Sequence, residues 1–284
     1  MMSGQLIRGS TAVYGILGDP VRHSLSPRMH NAAFAALGLD AVYVPFAVPP
    51  AHLAMAVAGW RALGVRGGNV TIPHKQAIVP LLDELDDFAR LCGAVNTLVR
   101  DGDRLVGYNT DGPGLVRSLL EDLDFEPDGR CLFLLGAGGA ARGAALALAQ
   151  RRPACLVLAN RTLARAEELR ALLCRYDPQL DCRVCPLTPA ALADWAPQVD
   201  LLLNTSTLGL RGEDCDFLPW ALFPPHLRVY DAVYAPQDTP LVARARASGL
   251  RACDGLGMLI GQGQLAFTLW TGRDPGNLLR QALA

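Results

Sequence analysis

The chain has 284 residues, 51% of them hydrophobic and 19% charged, with a net charge of −1. That length predicts about two domains, and the composition excludes an intrinsically disordered polymer. The even charge leaves no basic field for nucleic acid or an anionic membrane surface, so a small molecule is the expected partner.

In chain order, residues 12–110 alternate apolar runs with helical periods. Strands are predicted over 12–18, 41–46, 66–72 and 94–100, and helices over 27–38, 50–64 and within 81–93. The turn Asp101-Gly102-Asp103 joins the last strand to 104–108 as a hairpin, which makes this half a mixed sheet. After a helix over 115–123 the pattern restarts with strands near 130–136, 156–160, 182–187, 200–206, 227–234 and 249–255, separated by helices such as 165–174 and 240–249. Repeated strand–helix units predict a doubly wound parallel sheet. A long apolar helix, 256–270, closes the pattern and is expected to pack back on the first half. No apolar run is long enough for a bilayer, and residues 1–10 lack the apolar centre of a secretion signal, so the expected compartment is the cytoplasm. The eight cysteines fall mostly in apolar segments and are expected to be buried, reduced thiols. Cys182 and Cys185 have the spacing of half a zinc site, but no second pair completes four ligands, so no metal is expected.

Gly136-Ala137-Gly138-Gly139-Ala140 directly follows an apolar strand and opens a helix. Glycines there allow a tight turn and close approach of pyrophosphate to free N–H groups at a helix start. The next strand ends in Asn160-Arg161-Thr162, with Arg165 one turn on, where NAD-binding proteins usually carry an acidic residue for the ribose. Two arginines on one helix face near its positive end suit a 2′-phosphate, hence NADP. Ser24 and Ser26 flank Leu25 between a strand and a helix; Ser26 before Pro27 reads as an N-cap, while the paired hydroxyls also suit a polyhydroxylated ligand. Thr71 and Lys75 lie at a strand's carboxyl end, where open sheets bind ligands. Residues 93–97 and 107–112 read as turns, with Asp111 capping the following helix.

Taken together, SLSP (24–27), NVTIPHK (69–75), GAVNT (93–97), GYNTDG (107–112), GAGGAAR (136–142), NRT (160–162) and DGLGMLIGQG (254–263) resemble the shikimate dehydrogenase family in order and wording, over about residues 12–272. The resemblance implies a substrate-binding domain from residues 1–111 completed by 255–284, a Rossmann-type NADP-binding domain over 112–254, and an active-site cleft between them. It implies Ser24, Ser26, Thr71, Asn96, Tyr234 and Gln262 around substrate hydroxyls and carboxylate, with Lys75 and Asp111 at the reacting oxygen. It further implies Gly136, Ala137, Gly138, Gly139 and Ala140 at the pyrophosphate, and Asn160, Arg161, Thr162 and Arg165 at the adenosine phosphate. Thr205, Val233 and Gly255 complete the cofactor set, Asn204-Thr205-Ser206 lying by the nicotinamide ribose. The implied activity is NADP-dependent reduction of 3-dehydroshikimate to shikimate by a monomer or homodimer. A quinate or quinate/shikimate dehydrogenase is the alternative enzyme, and a non-catalytic ligand-sensing regulator the alternative class; such a regulator is expected to lack Lys75 or Asp111, and both are present.

Overall fold

The computed structural model describes residues 7–209 and 212–284. Its chain divides into two compact units, Met1–Thr110 with Gln262–Ala284, and Asp111–Gly261. Residues 211–219, a stretch that the family resemblance does not place, begin at Arg211, outside the described residues.

The first unit holds strands β1 (Ala12–Gly18), β2 (Ala41–Ala47), β3 (Gly67–Val70), β4 (Glu84–Leu85), β5 (Thr97–Asp101) and β6 (Arg104–Tyr108), with helices α1 (Ser26–Ala36), α2 (Leu53–Ala62) and α3 (Asp87–Cys92). The sheet runs β2-β1-β3-β5-β6-β4. β1 pairs in parallel with β2 and β3, whereas β3–β5 and β5–β6 are antiparallel, giving the expected mixed sheet. Asp101 pairs with Arg104, and Gly102 takes φ 60° at the first turn position, a conformation glycine adopts without steric cost. The helical expectation within 81–93 holds for α3 and is corrected at Glu84–Leu85, which form β4. The Asp83 and Asp86 amides donate to Leu105 and Gly107 of β6, and the Asp86 carboxylate caps a fresh helix at the Phe88 and Ala89 amides.

Leu17, Val70 and Leu98 pack with Val57 and Trp60 of α2. Tyr14, on the opposite face of β1 by the two-residue strand period, meets Phe34 and Trp270. Gly67 makes room there: a Cβ would lie 2.7 Å from the Trp270 ring, whose Nε1 donates to the Leu98 carbonyl at 2.9 Å.

The second unit contains α4 (Asp111–Leu123), β7 (Cys131–Leu135), α5 (Gly139–Ala149), β8 (Cys155–Asn160), α6 (Leu163–Tyr176), β9 (Cys182–Pro186), α7 (Pro189–Trp195), β10 (Leu201–Asn204), β11 (Arg228–Asp231), α8 (Pro240–Ala247) and β12 (Arg251–Cys253). All its strand pairs are parallel, in the order β12-β11-β10-β7-β8-β9. Phe133, Val157, Leu202 and Val229 form its core with Leu241 and Ala245 of α8. Helix α9 (Leu256–Thr271) divides between the units at Gly261/Gln262, and α10 (Leu278–Leu283) follows it. Within the second unit, α9 comes against α4 through Gly257 and Gly261, where a Cβ would collide with Asp122 and with the Gly114 backbone.

One cysteine expectation is corrected. Cys131 and Cys155 are register partners on β7 and β8, with Cα atoms 4.7 Å apart, and are joined as a disulfide. Adjacent strands bring register partners to about that spacing, a proximity invisible in the linear sequence. The other six cysteines form no disulfide, and burial pushes Cys182 up to about 12. Among the described residues no group of three or more His, Cys, Asp or Glu is poised for a metal, and no helix is long and apolar enough to cross a membrane.

Candidate functional site

In the first unit the candidate residues gather at the carboxyl ends of β1 and β3 and at the start of β5. Thr71 follows β3, its amide donating to Leu17 at 2.8 Å, and its methyl occupies space that a side chain at Gly18 would fill. Lys75 is half-buried one turn later, and its carbonyl accepts the Val95 amide at 2.7 Å, which places it beside Asn96 along the chain. His74, fully buried, contacts the Val48 carbonyl through Nε2 at 2.6 Å and anchors the turn from which Lys75 projects.

Behind these lies a buried network of amides and hydroxyls. The Asn96 Oδ1 accepts the Thr110 amide at 2.7 Å, and its Nδ2 donates to Gln262 Oε1 at 3.3 Å. Asn69 Nδ2 faces the Asn96 carbonyl and Thr97 Oγ1, each at 3.2 Å, and Gln262 Oε1 at 3.5 Å. Tyr43 donates its hydroxyl to Asn69 Oδ1 at 2.7 Å. Burial raises this phenol well above its ordinary pKa, partly offset by hydrogen bonds with Asn69 and Ser26. Asn96 and Gln262 are thus brought together. Asp111 follows Thr110 directly and heads α4.

The expectation that Ser26 caps α1 is corrected. The helix already includes Ser26, Leu25 holds the cap position without a side-chain bond, and Ser24 Oγ accepts the Ser26 amide at 3.2 Å. Ser26 is therefore buried within the first turn of the helix.

In the second unit the chain order reverses between β7 and β10, so the carboxyl ends of these strands form the switch point where open α/β sheets bind ligands. Gly136 sits there at φ 109°, and a Cβ would press 3.0 Å from the Ser206 nitrogen and 3.1 Å from Thr205 Oγ1. Gly138 caps α5, and side chains at Gly138 or Gly139 would stand in open space before the helix start. The first amides of α5 lack carbonyl partners within the helix. Bare backbone donors at a switch point, in front of unfilled space, fit the pyrophosphate of a dinucleotide. Thr205 is held by two bonds to the Leu135 carbonyl, from its amide at 2.8 Å and its hydroxyl at 2.9 Å. Val233 and Gly255 are joined by a 3.1 Å backbone bond, and a Cβ at Gly255 would strike the Ala232 carbonyl.

At the tip of β8, Asn160 Nδ2 donates to the Thr162 carbonyl at 2.8 Å, and Arg161 and Arg165 are exposed. Helix α6 starts at Leu163, so Arg161 precedes the helix, Thr162 occupies the cap position and Arg165 lies in the first turn. Among the described residues neither arginine forms an ion pair, whereas Arg170 on the same helix pairs with Glu167. A doubly basic tip with open guanidinium groups fits a phosphate on the adenosine ribose. Tyr234, half-buried with its phenol raised by burial, follows β11 in the second unit, whereas the other candidate substrate residues, Asp111 apart, are in the first.

Sequence reasoning assigned no role to Tyr43, Asn69, Thr110 or Asp231. Asp231 is fully buried at the end of β11 and accepts from Asn204 Nδ2 at 2.8 Å, Thr239 Oγ1 at 2.6 Å and the Val233 amide at 3.1 Å. Burial raises its carboxyl despite those bonds. It ties the ends of β10 and β11 to each other, and Asn204 in turn holds the Ser206 amide at 3.0 Å. Both Asn69 and Thr110 stand inside motifs quoted above, which was the available signal; Tyr43 carried none beyond a polar tip on a strand's core face.

A parallel sheet of order 3-2-1-4-5-6 with a glycine turn at its reversal defines the dinucleotide-binding α/β class. Comparison with known proteins narrows this. Residues 16–98 match the family model described as shikimate dehydrogenase substrate binding domain, and residues 255–276 that of the shikimate 5′-dehydrogenase C-terminal domain. The chain is 51% identical to the NADP(+) shikimate dehydrogenase of Geobacter metallireducens over 98% of each chain. Its fold is similar to the shikimate 5-dehydrogenase of Thermus thermophilus solved with NADP(H) and shikimate (TM-score 0.83, 36% identity, 96% of this chain and 98% of that one). A Corynebacterium glutamicum quinate dehydrogenase solved with NAD is similar at TM-score 0.87 and 29% identity, over 96% and 98%. The chain belongs to the shikimate dehydrogenase family.

Proposed function

We propose that this protein catalyses the NADP-dependent, reversible reduction of 3-dehydroshikimate to shikimate, residues 1–111 with 255–284 binding the substrate and 112–254 the cofactor. The observation that carries the reading is the cluster of Ser24, Ser26, Thr71, Lys75, Asn96 and Gln262 around the carboxyl ends of β1 and β3. Hydroxyls, amides and one ammonium suit a ligand with several hydroxyls, a carboxylate and a carbonyl to be reduced. Family membership names that ligand.

When bound, NADPH supplies the hydride, and Gly136, Ala137, Gly138, Gly139 and Ala140 would hold its pyrophosphate. Asn160, Arg161, Thr162 and Arg165 would hold the adenosine phosphate, with Thr205, Val233 and Gly255 toward the nicotinamide end. Reduction of a ketone leaves negative charge on its oxygen, and the Lys75 ammonium stabilises that charge and delivers the proton. Asp111 is assigned to accept a hydrogen bond from a substrate hydroxyl. Ser24, Ser26, Thr71, Asn96, Tyr234 and Gln262 fix the ring so that the reacting carbon is presented in one orientation, which lowers the entropic part of the barrier. The enzyme works in the cytoplasm on small molecules, without nucleic acid or membrane, as a monomer or homodimer.

Initial rates with shikimate and quinate, each with NADP and NAD, test the reading. The expected result is the highest kcat/KM with shikimate and NADP; equal values for the two acids would move the protein to the quinate/shikimate class, and no turnover would make it a binding protein.

A further inference from the structure

Asn204 and Asp231, both fully buried at the carboxyl ends of β10 and β11, share a set of hydrogen bonds whose polarity is fixed by groups with a single role. A backbone N–H only donates, so the Ser206 amide requires the oxygen of Asn204, which it meets at 3.0 Å. The Ser206 hydroxyl donates to the same Oδ1 at 2.7 Å. A carbonyl only accepts, so Leu208 requires the Asn204 NH₂, which donates to it at 3.0 Å and to Asp231 Oδ1 at 2.8 Å. Both hydrogens and both lone pairs of this amide are therefore used, and one orientation satisfies them all. The bonds fold residues 204–208 into a tight loop, which the Leu208 amide closes on Ser206 Oγ at 3.1 Å. That loop faces the glycine turn: a Cβ at Gly136 would stand 3.1 Å from Thr205 Oγ1.

Asp231 carries the set across to the segment after β11. Its Oδ1 also accepts the Val233 amide at 3.1 Å, and its Oδ2 accepts the hydroxyl of Thr239, the cap of α8, at 2.6 Å. One carboxyl oxygen thus joins the loop that carries Thr205 to the segment that carries Val233, and the Val233 carbonyl in turn accepts the Gly255 amide at 3.1 Å. We infer that Asp231 is a positioning residue for hydride transfer, its Oδ1 holding the Thr205 loop and Val233 in one fixed relation and so setting the orientation of the nicotinamide ring. The inference rests on the proposed cofactor-binding role of Thr205, Val233 and Gly255. Anchoring of the cofactor falls to its other end, at the glycine turn and at Arg161 and Arg165, so loss of the Asp231 acceptor misorients the ring without releasing the cofactor.

Asp231→Ala in the full chain leaves Asn204, Val233 and Thr239 without their shared acceptor. Asp231→Asn returns an oxygen to the first two, and its NH₂ meets the Thr239 hydroxyl, which is free to rotate. For Asp231→Ala the expected kcat of shikimate oxidation falls about 30-fold while the Kd for NADPH, from fluorescence titration, stays within about threefold, because misplacement costs rate before affinity. The kinetic isotope effect on kcat with shikimate deuterated at the reacting carbon should rise, since hydride transfer then limits turnover; a scaffold role alone lowers the melting temperature and leaves the isotope effect where it was. Asp231→Asn should regain kcat to within about threefold of wild type, the acceptor geometry being restored. Should Asp231→Ala fail to fold, Asn204→Ala breaks the same link from the other side, and the same fall in kcat and rise in isotope effect are expected. An unchanged kcat and isotope effect, a Kd for NADPH that rises in step with the fall in kcat, or an Asp231→Asn variant as impaired as Asp231→Ala would each overturn the inference. A wild type that turns over shikimate normally beside an unaltered Asp231→Ala removes this inference only, whereas a wild type inactive on shikimate removes the function and this inference with it.

Discussion

His30 supplies a stability prediction whose size can be worked out. It is fully buried in α1, stacked on Tyr43 at 4.7 Å and packed against Trp270 and Phe267 at 5.0 and 6.2 Å, and neither ring nitrogen has a hydrogen-bond partner. Desolvation disfavours the imidazolium and lowers its pKa from 6.5 to about 3. The unfolded chain therefore takes up a proton below pH 6.5 that the folded chain refuses, so stability is fully present above that pH and is lost as pH falls toward 3. At about 1.4 kcal/mol per pH unit, His30 costs about 2 kcal/mol at pH 5 and about 3 kcal/mol at pH 4 relative to pH 7. His30→Phe keeps an aromatic ring and removes the titrating group; any packing change it introduces is independent of pH. Urea unfolding at pH 7, 6 and 5, followed by tryptophan fluorescence, should show wild type losing about 2 kcal/mol more than His30→Phe across that range. The carboxyls lowered in the folded state, Asp40 and Asp83, begin to matter only near pH 4 and below. Parallel pH dependences for the two proteins would refute the reasoning.

Other perturbations address the chemistry. Lys75→Ala should reduce single-turnover hydride transfer by about 10²–10⁴-fold while changing shikimate affinity much less, because its charge matters most when the oxygen becomes anionic; a folded variant within about threefold of wild type would remove Lys75 from the mechanism. Arg161→Ala should raise the KM for NADP at least tenfold more than that for NAD, a charge-assisted bond being worth about 1.5–3 kcal/mol, and an equal rise in both would refute the phosphate assignment. Gly136→Ala, at φ 109° and against Thr205 and Ser206, should destabilise the second unit by about 1–2 kcal/mol and weaken NADP binding; thermal melts with and without NADP report both effects.

The regular part of the fold is legible because it rests on short-range signals. Continuous apolar runs mark β7, β8 and β10, buried on both faces, and the glycine turn after β7 announces the start of α5. The misreadings occur where a distant strand decides the local structure. Residues 81–93 have helical composition, yet Asp83 and Asp86 pair with β6, and that pairing divides the segment into a short strand and a one-turn-plus helix. Cys131 and Cys155 are 24 residues apart in sequence and become neighbours only through the β7–β8 register.

At the site, residue types are legible but directions are not. Asn96 and Gln262 are visible as amides within recognisable motifs, but how each amide is turned depends on Tyr43 of β2, Asn69 of β3 and Thr110 in the segment before α4. The same holds for Ser26: its place before Pro27 suggests a cap, whereas the structure puts it inside the helix, its own amide bonded to Ser24 Oγ. A hydroxyl used as a cap is committed to backbone; one that is not keeps its hydrogen-bonding role for another partner. Reading such directions requires the fixed donors and acceptors of the main chain as a starting point, and their facing partners exist only once β3, β5 and the segment before α4 have come together.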